Sequence, residues 1–486
     1  MKFRPSSLHF AGAAASVVLF HFAYREVTLK LADQVMVRAD APGFAELAAE
    51  HPWGAVEWLL RLVSASNLAG WGFLLHLALV VLAGALAYSA WRRNRSAFAP
   101  LAPWLAAALY VLPTLSLGDQ VWLLQRPHFA LLHLTMFTLL AGCLLAGWKG
   151  LVGFAALQLA LAAAGRLGFH DLPEAETLRA VWALPIQFEW DARTWTVLVL
   201  FAALIAPVFM KRPAALPRWA HAAAPALALV LFLAFLPSRD PCDQLKMERA
   251  VIEQRFDDVL KIAPRKKKPE RMESAWRILA MFRTDRVDRD LRRFPILGSH
   301  QDTEEEEMIM EGPLYLFHYG LLMPARRWAF ETIAVKGWQP LYFRLLGDIA
   351  LITGEAELAR KNFTELKRCP FRGDFAARRL RTLATQPLPE DAFADLSDVA
   401  GIYGVWCDFC KSDDAPSYFG NDRVVERFVY TLFLQLKSCP PPMLKMFFAS
   451  ALLDGKPELV RENQNALSQL YPDGRIGPVF LEALKK

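Results

Sequence analysis

Two cysteines three positions apart stand in the run Trp406-Cys407-Asp408-Phe409-Cys410-Lys411. This is the local pattern in which a helix N-terminus lowers the pKa of the first thiol and the second resolves a mixed disulfide. Such a site needs a strand before the pair and another strand, with a cis-proline loop, well after it, whereas the sequence from Arg423 onward reads helical. Two other readings stay open: a structural disulfide between Cys407 and Cys410 in an oxidising compartment, or thiols that are free or paired elsewhere. Zinc needs four ligands, and with no His nearby the pair would have to recruit Cys369 or Cys439, so no metal and no cofactor is expected. A second set of chemically capable groups is acidic, namely Asp33, Asp40, Glu189 and Asp191. Acids beside a membrane hold a metal or polarise a lipid-linked substrate in some enzymes, and in most proteins they are solvated loop residues. No Gly-rich phosphate loop, Gly-x-Ser-x-Gly elbow or His-Glu-x-x-His pattern occurs.

What must position these groups changes character at Pro237. Before it lie long apolar stretches; after it the sequence is of ordinary mixed charge. The hydrophobic fraction of 54% is therefore an average over a lipid-embedded part and a water-soluble part. Crossing about 30 Å of hydrocarbon takes roughly 20 mostly apolar residues in a helix, because every backbone amide must be satisfied internally. Seven windows qualify, near Leu8–Tyr24, Gly70–Trp91, Phe98–Leu117, Pro127–Trp148, Leu151–Gly165, Trp195–Met210 and Trp219–Leu236; the fifth is short and contains Gln158. Lys2 and Arg4, then Arg92, Arg93 and Arg95, then Lys149, then Lys211, Arg212 and Arg218 all fall on one side if seven helices span. Basic short loops stay cytoplasmic, so residues 238–486 are expected outside, in the bacterial periplasm. The basic stretch 239–293 runs against that orientation, though long domains cross largely regardless of charge. Read instead as a signal peptide, the first window would need a small-residue cleavage site where His21, Phe22 and Tyr24 stand.

The domains are thus 1–237, a multi-pass inner-membrane part with outer loops at 25–69 and 166–194, and 238–486, a soluble part. In the first loop, apolar residues at helical spacing between Phe44 and Leu62 place Trp53 and Trp58 as interfacial anchors. The membrane windows hold His9, His21, His76, His128 and His133 without a central acid, a pattern of packing residues rather than a proton relay. The net charge of +6 includes Arg265-Lys266-Lys267-Lys268, which reads as a surface patch; no nucleic acid is expected as a partner.

An internal duplication marks the second domain. Residues 349–366 align without gaps on 450–467 with eight of eighteen positions identical, among them Gly354/Gly455, Leu358/Leu459 and Asn362/Asn463. Each copy reads as a helix ending at a turn glycine, followed by a second helix that starts with acidic residues. The offset of 101 is close to three periods of the tetratricopeptide repeat. Further pairs are expected at Glu273–Arg283, Met308–Met323, Arg326–Lys336 and Arg423–Leu436, giving three to five irregular hairpins. Stacked hairpins would present a concave face to a protein or peptide; a compact packing would not, and sequence alone leaves both open.

The fold class expected is all-α, a polytopic transmembrane bundle of about seven helices followed by a soluble tetratricopeptide-like domain. In the order of its features the chain resembles an uncharacterised family of polytopic bacterial membrane proteins. The resemblance rests on the loop from Glu46 to Trp58, the Leu346-Gly-Asp-Ile-Ala-Leu-Ile-Thr-Gly-Glu segment, and the Met446-Phe-Phe-Ala-Ser-Ala-Leu-Leu-Asp-Gly segment. It implies no activity and maps no functional residues. The expected role is a scaffold or assembly factor for an envelope process, anchored in the lipid bilayer. The alternative is a membrane enzyme similar to C-type glycosyltransferases, which carry acidic outer-loop residues and in some cases tetratricopeptide tails.

Overall fold

The structure, a computed structural model, describes residues 5–107 and 240–485 with gaps, the larger being 31–37, 51–57, 94–98, 263–268, 297–304, 386–391 and 411–424. Of residues 108–239 it describes Val152 and Ala156. Apart from those two residues the apolar windows from Pro127 to Leu236 therefore lie outside the described residues, as do Asp33, Trp53, Glu189 and Asp191. The described elements are all helical, and the chain divides into two units: Met1–Cys242 with Arg368–Gly373, and Asp243–Lys367 with Asp374–Lys486.

In the first unit, α1 (Pro5–Ala23) and α3 (Gly72–Arg93) pack through small residues, with α2 (Ala41–Glu50) between them in sequence. Ala13, Val17 and Val80 meet Ala106 and Ala107. A Cβ on Gly12 would fall 2.6 Å from the Trp104 ring, and one on Gly84 would fall 3.0 Å from the Pro103 backbone. Small residues at these contacts let the helix backbones approach closely. The hydroxyls of Ser16 and Ser89 donate to the carbonyls of Gly12 and Ala85 one turn back, which satisfies them within an apolar helix. His9 accepts a hydrogen bond from Trp104 Nε1 at 3.2 Å, and His21 stacks on Phe73 with 5.0 Å between ring centres. Leu8, Leu19, Phe22, Leu74 and Leu82 meanwhile point outward, each more than half exposed. Helix α3 has the length and composition to cross a bilayer.

Helix α4 (Asp240–Ile252) leads into the second unit, which continues with α5 (Phe256–Lys261), α6 (Arg271–Arg283) and α7 (Val287–Asp290). It continues through α8 (Glu305–His318), α9 (Leu322–Lys336), α10 (Pro340–Ile352), α11 (Ala356–Arg368), α12 (Gly373–Ala384) and α13 (Ser397–Cys410). It ends with α14 (Val425–Leu436), α15 (Pro441–Leu453), α16 (Glu458–Glu462), α17 (Gln464–Leu470) and α18 (Pro478–Lys485). Consecutive helices pack most closely in the pairs α5/α6, α8/α9 and α14/α15. One core runs through the unit, with Trp276, Tyr315, Tyr319, Phe447, Phe448 and Phe480 fully buried. Elements far apart in sequence close on one another: α7 packs against both α15 and α18, Arg292 pairs with Glu482, and Tyr471 donates to Asp288. In a linear solenoid each repeat touches only its neighbours, so between the two arrangements left open by the sequence the described contacts are those of compact packing.

The duplicated segments share their turns atom for atom. After α10, Gly354 N–H donates to Leu351 O and Glu355 N–H to Ala350 O; after α15, Gly455 N–H donates to Leu452 O and Lys456 N–H to Ala451 O. This is the Schellman closure of a helix C-terminus, and both glycines take the left-handed φ it requires, +79° and +71°. Asn362 and Asn463 each donate to the carbonyl four residues back, Leu358 and Leu459. A Cβ at either glycine meets nothing within 4 Å. Gly354→Ala and Gly455→Ala should therefore cost only the backbone penalty, about 1–2 kcal/mol each, and the two losses should add in denaturant titrations because the sites share no partner.

Candidate functional site

A charge cluster in the second unit is centred on the buried Asp348. Arg344 lies one helical turn before it on α10, with Nε at 3.9 Å, and Arg379 reaches in from α12 with Nη2 at 3.1 Å. Arg379 also makes a two-pronged pair with Asp395, at 2.9 and 2.7 Å, the geometry that a planar guanidinium and a carboxylate favour. Phe375 lies between the arginines, its ring centre 4.4 Å from the Arg344 guanidinium and 5.1 Å from that of Arg379. Arg344 Nη2 further donates to the carbonyl of Ile252 at the end of α4. Two cations and two carboxylates thus balance, Asp348 and Arg379 in the interior and Asp395 half exposed, and tie α4, α10, α12 and the turn at Asp395 together.

A cavity of about 20 Å³ adjoins the cluster, lined by Gln254, His318, Arg344 and Asp348 together with Ile252, Leu314, Phe317, Leu341 and Leu345. That volume holds one water molecule and no substrate. Burial pushes the Asp348 carboxyl up to about 6, against the pull of Arg379 and then Arg344. Burial, with Arg283 and Arg344 nearby, holds the His318 imidazole well below its ordinary value. The two act in opposite directions on acidification. The folded Asp348 binds its proton before the open chain does, so lowering pH from 7 through 6 favours the fold, by on the order of 1 kcal/mol at pH 5. For His318 the open chain protonates first, from about pH 6.5 downward, so the same change favours unfolding. Relative to the unsubstituted chain, Asp348→Asn should make thermal stability fall more between pH 7 and 5, and His318→Gln should make it fall less.

The sequence singled out other groups, and the structure distributes them. The Cys407 and Cys410 pair lies at the C-terminal end of α13, the opposite end from the one that activates a thiol in dithiol sites. Cys407 is half-buried and carries a free thiol. Trp406 beside it is buried and donates from Nε1 to the carbonyl of Tyr319, so the aromatic residue of this motif is a packing anchor for α13 against the α8–α9 turn. Asp40 precedes α2 and accepts from the N–H of Gly43 at 2.9 Å, as a helix N-cap does. Its carboxylate also faces Arg38 and Arg368, at 3.7 and 3.4 Å. Trp58 Nε1 donates to the carbonyl of Arg38, and its ring meets Phe44 edge-on.

A surface that sequence reasoning missed runs along α9. Met323 and Phe330, seven residues apart on the exposed face, and Trp338 just beyond the helix are each 41–46% exposed. Trp338 stacks flat on Phe343 with ring centres 4.5 Å apart, which fixes its ring in place. The i, i+7 spacing was visible in the sequence, but a helix apolar on more than one face gave no sign of which face the core would take.

Comparison with known proteins adds a family and nothing more. A model described as a family of unknown function, DUF6057, matches residues 55–397. The match runs across Pro237, so the apolar and polar halves belong to one shared arrangement, and it ends before the second copy of the duplicated segment. No curated protein and no solved structure matches the chain.

Proposed function

Because the chain belongs to this family of unknown function, no activity comes to it by descent, and we propose from its own features that it is a membrane-anchored scaffold. Its leading half crosses the bacterial inner membrane seven times, and its unit of tetratricopeptide-like hairpins, compactly packed and in the periplasm, holds a protein partner during an envelope process. The outward apolar faces of α1 and α3 support the membrane half of this reading, since Leu8, Leu19, Leu74 and Leu82 facing water would form the kind of patch soluble proteins avoid. The observation that carries the partner half is the ridge of Met323, Phe330 and Trp338 on a unit whose other large aromatic residues are mostly interior. Rigid, exposed aromatic residues contribute most of the energy in protein interfaces, because little side-chain entropy is lost when they are covered. Of the four acids in the enzyme reading, Asp40 is engaged by Gly43, Arg38 and Arg368, and Asp33, Glu189 and Asp191 lie outside the described residues.

The test uses the full chain in its own membrane, with a photoreactive amino acid at Phe330. A discrete protein adduct is expected, and it should vanish when Met323 and Trp338 are both replaced by Ser while the melting temperature is retained. Absence of any protein adduct, or an adduct indifferent to those substitutions, would remove the basis for a scaffold.

A further inference from the structure

The turn Arg368–Gly373 belongs to the first unit, and its tip is Phe371. Phe371 stands at φ +63°, in the left-handed region, with its side chain 45% exposed. A non-glycine residue there costs about 1–2 kcal/mol, and an aromatic residue left half in the open recovers little of that by burial. Yet the root of the turn is fixed: Ala39 N–H donates to the carbonyl of Arg368 at 3.0 Å, and Arg368 Nε lies 3.4 Å from Asp40. Strain held in place at an exposed aromatic residue points to use rather than to packing.

Its neighbour identifies the use. The Phe371 ring meets Trp71 edge-on, with centres 6.2 Å apart, and Trp71 is itself 56% exposed. Trp71 directly precedes α3, whose 22 residues rise about 33 Å, the thickness of a hydrocarbon core, and whose far end carries Arg92 and Arg93. Phe73 and Phe22 stand at the same end, 6.0 Å apart, Phe22 being 65% exposed. Aromatic residues at one end of an apolar helix and arginines at the other are the two anchors of a membrane span. If α3 spans, Phe371 beside Trp71 lies at the depth of the outer aromatic belt.

We infer that the Arg368–Gly373 turn dips into the outer lipid interface, with Phe371 seated beside Trp71 at the boundary of headgroups and acyl chains. The occupant of this surface is the bilayer itself rather than a protein. This inference rests on the membrane reading of α3, and the experiment separates the two. Full-length protein carrying p-benzoylphenylalanine in place of Phe371, and in a second preparation in place of Leu82 at the middle of α3, is irradiated in its native membrane and examined by mass spectrometry. The probe is a phenylalanine with an added ring at half-exposed positions, so the fold is not challenged. Phospholipid adducts are expected from both positions. A lipid adduct from 82 with a protein adduct, or none, from 371 overturns the inference and leaves the span intact. No lipid adduct from 82 overturns the span and the inference that stands on it.

Discussion

Asp348→Ala should destabilise the helical unit by about 3–5 kcal/mol, the range for removing one partner of a buried ion cluster, and lower its melting temperature by roughly 10 °C. The cause is not the lost attraction alone. Arg344 and Arg379 would remain in the interior, and Arg344 would keep the Ile252 carbonyl, the Phe375 ring and only the weaker attraction of Asp395 and Glu253. Asp395→Ala offers the comparison. Its side chain is half exposed, so water replaces it on Arg379, and the loss should stay near 1 kcal/mol. Equal effects from the two substitutions, measured by thermal melting of the full chain, would show that the cluster is not the tie between α4, α10 and α12 described above.

Gly320→Ala should cost about 3 kcal/mol or more, well beyond the same change at Gly354 or Gly455. All three residues close helices in left-handed conformation, Gly320 at φ +72°, so the backbone penalty is common to them. What differs is the space. A Cβ on Gly320 would lie 2.7 Å from Ile402 Cγ2, 2.8 Å from the Tyr403 nitrogen and 3.0 Å from the Ile402 carbonyl carbon. Two of those atoms are backbone of α13 and have no rotamer to change, so the helix itself must retreat, and overpacking adds about 1–3 kcal/mol. Retreat would also stretch the bond from Trp406 Nε1 to the Tyr319 carbonyl. The accompanying sign is faster alkylation of Cys407, which lies on the same helix. A melting temperature no lower than that of Gly354→Ala would contradict this packing.

Local features were the legible ones. The duplication located both turn glycines, and with them the pairs Asn362/Asn463 and Leu358/Leu459, because a Schellman turn needs its glycine at a fixed place in the chain. Asp40 could have been found as a cap, since Asp40-Ala41-Pro42 places a good acceptor before a proline in the first helical turn; its acidity drew the eye to chemistry instead. Trp406-Cys407-Asp408-Phe409-Cys410 shows the converse, a local pattern whose meaning depends on which end of a helix it occupies. The Asp348 cluster was out of reach. Arg344 and Asp348 sit at helical i, i+4 spacing, but Arg379 and Asp395 join them only through the packing of α12 and the following turn. The closure of α18 onto α7 is likewise a long-range event with no local signal.

We propose that lipid surrounds the leading half and that an odd number of crossings delivers the helical unit to the outside. Alkaline phosphatase fused after Lys486 tests it most directly, since that enzyme is active only where its disulfides form. Seven crossings with the N-terminus inside predict an active fusion that fractionates with the inner membrane. An inactive phosphatase, together with a bright cytosolic fluorescent reporter at the same position, would contradict the claim.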